Sequence, residues 1–216
     1  MSIESLVSQH DSLFIQQRKE LTEILIDWET RNKYAILDKH KREVGFIAER
    51  GKGFWSILKR GFLRSHRALE IDVFDASRAR IAHLSRPFFF FFSSLDVRDA
   101  QGALLGTIER RFGFIHKKYD LRDEHGRVFA HIKSPIWRLW KFPILKNDQE
   151  VAVISKRWGG ALREVFTDAD TFLVDFGRTP WTLSNRAVIL AAAISIDFDF
   201  FENNQGSSGV FDLFDS

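Results

Sequence analysis

One apolar run constrains the fold of this sequence more than any other feature. Residues 185–201 read NRAVILAAAISIDFDFF, and residues 187–196 hold one hydroxyl (Ser195) and no charge, glycine or proline. A helix that is apolar on every side must be buried in a protein core or a membrane. Ten helical residues span about 15 Å, against about 30 Å of hydrocarbon in a bilayer. We therefore predict a helix that is buried in a protein core.

The residues after Ile196 do not determine where this helix ends. Apolar and acidic residues alternate from Ile196 to Phe200, which is also the pattern of an extended strand. Asp197 and Asp199 would lie at the C-terminal end of the helix, where the helix dipole disfavours anions. An extended conformation after Ile196 is therefore the alternative to a longer helix.

The sequence before this run consists largely of short β-type runs separated by polar turns. Turns near Asp75, Asp99, Asp123 and Asp148 recur about every 24 residues, which is typical of successive hairpins. The six pairs of runs are residues 34–37 and 44–48, 69–74 and 80–84, 94–98 and 104–109, 117–122 and 128–133, 140–145 and 151–155, and 163–166 and 171–176.

Six hairpins give about twelve mostly antiparallel strands, and a sheet of that size tends to curl or close. A barrel of twelve strands is wide enough to need a filled interior, and a helix about 10 Å across fills it. We predict a mainly β fold, a closed antiparallel barrel of about twelve strands around the buried C-terminal helix. A sandwich capped by the helix is the alternative.

Three regions follow from these patterns. Residues 1–28, with apolar residues partly at helical spacing, are predicted to form an N-terminal arm or short helix that packs on the body. Residues 29–202 are predicted to form the barrel domain, and residues 203–216 a flexible tail. The tail ends in VFDLFDS, from Val210 to Ser216, which we interpret as a docking motif for a protein partner.

Composition excludes several classes of protein. The chain has no cysteine, which excludes disulfides, thiolate metal sites and cysteine catalysis. HExxH, GxSxG, Walker A and GxGxxG motifs are absent, so we do not expect an enzyme. The first residues lack a signal-peptide pattern, and no apolar run reaches the roughly 18 residues of a membrane span. We expect a cytoplasmic protein that is peripheral to a membrane.

Two aromatic segments suggest contact with lipid. Residues 50–67 contain six Lys or Arg residues and no acid, interleaved with aromatic side chains. This pattern suits an anionic membrane surface; single-stranded nucleic acid fits less well, and a loop packed on the barrel is the structural alternative. Residues 88–92 are five phenylalanines, of which two or three must point outward from one face of a strand. These outward rings form a membrane anchor or, as the structural alternative, are covered by the N-terminal arm. The predicted lipid contacts are Lys52, Phe54, Trp55, Lys59, Arg60, Arg64, Phe88, Phe89, Phe90, Phe91 and Phe92.

An acidic segment predicts a weak calcium site. Asp168, Asp170 and Asp175 offer three carboxylates, whereas Ca²⁺ takes six to eight oxygen ligands. Phe172 and Phe176 interrupt the alternation of possible ligands. The alternative is a hairpin turn in which Asp168 and Asp170 accept hydrogen bonds from their own backbone.

Four motifs together resemble the phospholipid scramblase family. They are LFIQQRKELTEILIDWETRNKYAI (residues 13–36), LSRPF (84–88), KRWGGALREVFTDADTF (156–172) and IDFDFFE (196–202). The resemblance covers about residues 9–202. It implies a twelve-stranded barrel around a buried helix, related to the Tubby-like fold, and ATP-independent, bidirectional movement of phospholipid between leaflets with calcium stimulation.

Two departures from that family concern the predicted lipid and calcium contacts. The family has a palmitoylated cysteine-rich stretch where this chain has Phe88 to Phe92. The family's calcium segment is acidic at its twelfth position, where this chain has Thr179. The alternative function is a lipid-binding or scaffold module of Tubby-like fold that does not transport lipid, and a nucleic-acid-binding regulator is a third.

Overall fold

The computed structural model describes residues 1–18, 30–50, 68–88, 93–111, 116–135, 137, 140–156 and 171–200. A short helix, α1 (Ile3–Ser8), precedes twelve strands, and a long helix, α2 (Leu183–Phe200), follows them. The strands are β1 (Ser12–Gln17), β2 (Thr30–Leu37), β3 (Glu43–Arg50), β4 (Leu69–Asp75), β5 (Arg80–Arg86), β6 (Ser93–Asp99), β7 (Leu104–Arg111), β8 (His116–Asp123), β9 (Val128–Pro135), β10 (Lys141–Lys146), β11 (Gln149–Ser155) and β12 (Thr171–Asp175).

All twelve strands form one closed antiparallel barrel. Each strand pairs with its neighbours in the sequence, and β1 pairs with β12 to close the barrel. In that closing pair Ser12 lies opposite Asp175 and Gln16 opposite Thr171. The predicted fold, a closed barrel of about twelve strands with a C-terminal helix, is confirmed.

The first strand lies within the segment for which an arm or short helix was predicted. The structure has both elements there, because α1 is capped by Ser2 and is followed by β1, which pairs with β2 and β12. Leu13 to Ile15 are three consecutive buried apolar residues, which show neither helical nor alternating periodicity. The sequence pattern therefore did not separate the helix α1 from the strand β1. The predicted strand at residues 163–166 lies outside the described residues.

Four hairpin turns share one construction. In each, an Asp carboxylate accepts hydrogen bonds from the backbone N–H groups two and four residues later; at Asp75 these come from Ser77 (2.9 Å) and Ala79 (3.0 Å). Burial acts to raise the pKa of Asp75, but hydrogen bonds from Ser77, the N-terminal amine and Ala79 outweigh it and lower the pKa. The other three turns begin at Asp38, Asp99 and Asp123.

The order of the strands gives the barrel two different ends. The short hairpin turns at 38–42, 75–79, 99–103, 123–127 and 147–148 all lie at one end, called here the turn end. The connections between successive hairpins begin and end at the opposite end, called here the connection end. These connections join residues 17 and 30, 50 and 69, 86 and 93, 111 and 116, 135 and 141, and 155 and 171.

Helix α2 fills the barrel from the turn end to the connection end. Near its start, Trp181 Nε1 donates to the carbonyl of Phe176 (2.8 Å), and Ser184 bonds to Glu4 of α1. Residues 187–196 are all buried, as the apolar run predicts. The helix continues to Phe200, so the extended alternative after Ile196 is wrong. Within the described residues, no helix is both long enough and apolar enough to cross a bilayer.

The close approach of α2 to the wall predicts a large effect at Gly106. A Cβ atom there would lie 2.3 Å from the carbonyl oxygen of Arg122 and 2.7 Å from Val188 Cγ2 of α2. We expect Gly106→Ala to lower the free energy of unfolding by about 1–3 kcal/mol in urea titrations, because both the backbone of β8 at Arg122 and the helix at Val188 must move away from β7.

The matched control is Gly102→Ala. Gly106 has a φ of +156° and Gly102 one of +92°, but at Gly102 nothing lies within 4 Å of an added Cβ. Its substitution carries the backbone strain without the clash, and we expect a cost of about 1 kcal/mol. Equal losses at the two glycines would show that the close contacts with β8 and the helix are not the cause at Gly106.

Candidate functional site

The last turn of α2 carries two carboxylates into the barrel at its connection end. Tyr34 of β2 donates its hydroxyl to Asp197 Oδ2 (2.6 Å). Asp199 accepts from Arg86 of β5 at Oδ1 (2.8 Å) and from the hydroxyl of Tyr119 of β8 at Oδ2 (2.8 Å). All five side chains are buried. The two acidic residues therefore tie the helix to three strands that are distant in the sequence.

The pair of Arg86 and Asp199 is an ion pair removed from water. The Arg86 residue is 2% exposed and also donates to Ser93 Oγ (3.4 Å). Two charges taken into the interior lose their hydration, and their attraction offsets this loss only where further hydrogen bonds satisfy both groups. Tyr119 and Ser93 supply such bonds here, so this cluster holds the end of α2 in one position.

Tyr119 gives the cluster a signature at alkaline pH. Burial and the charge of Asp199 raise the pKa of Tyr119 well above the ordinary value of 10.0. The unfolded chain therefore loses this proton first, so the contribution of Tyr119 to stability is present below pH 10.0 and declines as the pH rises further.

We expect Tyr119→Phe to remove this decline. Below pH 10.0 the variant should be less stable than the native chain by about 1 kcal/mol, because Asp199 loses one hydrogen bond. Above that pH the difference should shrink in chemical unfolding followed by circular dichroism. A difference that stays constant from neutral to alkaline pH would contradict the assignment.

A buried lysine lies in the same end of the barrel. Lys117 of β8 is 7% exposed, and its Nζ lies 5.3 Å from the centre of the Phe142 ring. Burial lowers the pKa of Lys117 to about 8, and the neighbouring charge of Arg110 lowers it as well. This end of the barrel thus holds cationic groups inside its wall as well as at its surface.

Charged strand residues distinguish the two ends of the barrel. The difference lies in the two outermost residues of every strand in the described structure. The connection end has seven Lys or Arg residues against two acids, and the turn end has four against six. The basic residues at the connection end are Arg31, Arg50, Arg86, Arg110, Arg111, Lys117 and Lys141. Arg86, which pairs with Asp199, and Lys117 are buried, and without them five basic residues remain against the two acids. An anionic surface is therefore attracted to the connection end more than to the turn end.

The predicted lipid-contact segments begin and end at this basic end. Phe88 follows β5 there and is 43% exposed. Arg50 and Leu69, which bound the basic-aromatic segment, end β3 and begin β4 at the same end. Lys52, Phe54, Trp55, Lys59, Arg60, Arg64, Phe89, Phe90, Phe91 and Phe92 themselves lie outside the described residues.

The three predicted calcium ligands are not shown together. Asp168 and Asp170 lie outside the described residues, in the segment that leads to Thr171 at the connection end. Asp175 ends the same strand at the turn end, about 13 Å along the strand from Thr171 at 3.3 Å per residue. Its Oδ1 accepts from the N–H of Gly177 (2.9 Å). Among the residues the structure describes, no group of three or more His, Asp or Glu side chains is arranged to hold a metal.

Sequence reasoning missed the Arg86–Tyr119–Asp199 cluster. A signal was present, since Asp197 and Asp199 interrupt an otherwise apolar run and such residues are rarely buried without a partner. The partners of Asp199, Arg86 and Tyr119, lie 113 and 80 residues away from it in the sequence, and no local pattern identifies them.

Fold and charge together define a helix-filled antiparallel β-barrel with one basic end that holds a buried ionic cluster. The Scramblase family model matches residues 2–203, nearly the whole chain. This protein belongs to the Scramblase family. No solved structure matches the chain.

Three relatives illustrate the family match. The chain is 28% identical to a phospholipid scramblase family protein of Schizosaccharomyces pombe, over 95% of this chain and 63% of that protein. It is 26% identical to altered inheritance rate of mitochondria protein 25 of Saccharomyces cerevisiae, over 97% of this chain and 76% of that protein. It is 28% identical to phospholipid scramblase 1 of Homo sapiens, over 94% of this chain and 68% of that protein. The chain thus spans less than two thirds of the length of the S. pombe relative.

Proposed function

We propose that this protein acts on phospholipids at the cytoplasmic face of a membrane and promotes their movement between leaflets in both directions without ATP. Membership of the Scramblase family and the names of its relatives support a scramblase-like function. The observation that carries the proposal is the polarity of the barrel. The basic-aromatic segment and the phenylalanine run both begin and end at its basic end.

The filled barrel restricts how such movement would occur. Helix α2 occupies the interior, and its residues 187–196 are buried against the inward side chains of the strands. A phospholipid headgroup therefore has no route along the barrel axis. In this proposal the headgroup crosses outside the barrel, in bilayer that the bound connection end disturbs.

The decisive experiment is reconstitution of the purified chain into liposomes with a trace of fluorescent phospholipid. Dithionite reduces only the fluorophores in the outer leaflet. We expect the reduced fraction to rise above the level of protein-free liposomes, without ATP. Vesicle binding with no rise, with or without calcium, would contradict lipid movement.

We also propose that calcium stimulates this activity through Asp168 and Asp170. Two carboxylates supply only part of a calcium shell, so the affinity should be weak. Asp168→Asn with Asp170→Asn is expected to remove calcium stimulation and to keep the calcium-free rate. Asp175→Asn is the matched control at the turn end, and we expect it to keep the stimulation. Calorimetry without calcium heat at millimolar concentration would contradict the site.

The filled interior also favours a second function, a lipid-binding module that does not transport lipid. Such a module needs only the basic end of the barrel, which recruits it to anionic membranes. Liposome flotation separates the two functions. Binding that depends on phosphatidylserine, together with no dithionite-accessible lipid movement, is the result expected for the module.

A further inference from the structure

Aromatic side chains are exposed at only one end of the described barrel. Trp137 is 71% exposed, Trp140 is 38% exposed and Phe88 is 43% exposed. Trp137 and Trp140 lie between β9 and β10, and Phe88 follows β5, so all three lie at the connection end. The other large apolar residues exposed in the described part, Met1, Val128 and Leu183, are aliphatic and lie near the turn end.

Exposure of two tryptophans three residues apart is unusual for a protein surface. Tryptophan is among the more buried residue types on average, because its ring carries a large apolar area. The ring also has one polar N–H group, and this combination suits the boundary between lipid headgroups and acyl chains. Arg138 and Lys141 follow the two tryptophans in the sequence. The chemistry of this pair of residues matches an anionic bilayer surface.

The placement of the pair distinguishes a bilayer from a protein partner. Trp137 and Trp140 share the basic end of the barrel with Phe88 and with both flanks of the basic-aromatic segment. Phe88 and the tryptophans lie on connections that are separated by four strands, which corresponds to about 19 Å at 4.8 Å per strand. The exposed aromatic residues are thus spread widely around one rim of the barrel, and this rim has an excess of basic residues. Both properties favour a broad anionic surface as the partner.

We infer that Trp137 and Trp140 insert into the headgroup region of an anionic membrane and orient the barrel with its connection end towards the lipid. This inference rests on the proposed function and extends it, because it assigns a contact and an orientation that the sequence patterns did not contain. The turn end, with its excess of acidic strand residues, then faces away from the membrane.

The absence of cysteine makes a direct test possible. The chain has no cysteine, so a single introduced cysteine is the only site that a thiol-reactive fluorophore labels. Trp137→Cys places the polarity-sensitive label NBD at the connection end. The matched control, Gln101→Cys, places it on an exposed turn at the opposite end. Both labelled proteins are mixed with vesicles of phosphatidylcholine that contain phosphatidylserine, and flotation of each is measured in parallel.

We expect the label at residue 137 to shift to shorter wavelength on vesicle addition and to be quenched by brominated lipid, with no change at residue 101. Trp137→Ala with Trp140→Ala should weaken vesicle binding by about tenfold, since both exposed rings lose apolar contact with lipid. A floating protein whose label responds only at residue 101, or at neither site, would overturn the inference and leave the proposed function standing. Failure of the protein to float would overturn both. A response that grows with protein concentration in the absence of lipid would show self-association and also overturn the inference.

Discussion

Replacement of Arg86 by methionine is expected to lower the free energy of unfolding by about 3–5 kcal/mol. The substitution leaves the buried carboxylate of Asp199 without its charged partner, at 2.8 Å in the native structure. Tyr119 alone then bonds to that carboxylate. Denaturant unfolding followed by far-ultraviolet circular dichroism measures the loss.

The control is the double replacement of Arg86 by methionine and Asp199 by leucine. It removes both charges, so neither is left buried without a partner. Replacement of a buried ion pair by apolar residues often leaves the stability unchanged. We expect the double variant to recover most of the stability that Arg86→Met loses. The contrary result is a loss in the double variant equal to the sum of the losses in Arg86→Met and Asp199→Leu. It would show that the two charges do not act as a pair.

Neutralisation of the basic-aromatic segment is expected to weaken binding to vesicles that contain phosphatidylserine by about 100- to 1,000-fold. The variant carries Lys52→Gln, Lys59→Gln, Arg60→Gln and Arg64→Gln. Each cation near an anionic surface contributes about 1 kcal/mol, and four together approach 4 kcal/mol before screening by salt. Flotation or sedimentation with vesicles at several salt concentrations measures the change.

A second variant with the same change of charge tests whether position matters. It carries Lys39→Gln, Lys41→Gln, Arg78→Gln and Arg178→Gln, which are exposed residues at the turn end. We expect its binding to fall by less than about tenfold, since these residues lie farther from the membrane than the screening length of about 10 Å. Equal losses in the two variants would show that net charge, and not the connection end, determines binding.

The hairpins and the buried helix could be predicted because each has a local cause. Asp75, Asp99 and Asp123 begin turns whose hydrogen bonds close within four residues, so their 24-residue spacing is visible in the sequence. The burial of residues 187–196 follows from their composition alone. In both cases the feature that predicts the structure lies within one short segment of the chain.

The end of α2 and the identity of β1 could not be predicted in the same way. The helix continues past Ile196 because Asp197 and Asp199 find partners on β2, β5 and β8. β1 is a strand because residues 12–17 pair with both β2 and β12. Both features are caused by contacts between segments that are distant in the sequence. The local order of apolar and acidic residues does not reveal whether such contacts form.

The pairing of Ser12 with Asp175 has a consequence for the way the protein is made. During synthesis β1 leaves the ribosome about 160 residues before its second partner, and the helix that fills the interior follows β12. Until then the nascent sheet has unpaired edges at β1 and at its newest strand, together with an uncovered apolar face, and such surfaces favour aggregation. We therefore expect the chain to fold after its strands are complete, slowly for its size, and to depend on a chaperone that shields an open sheet.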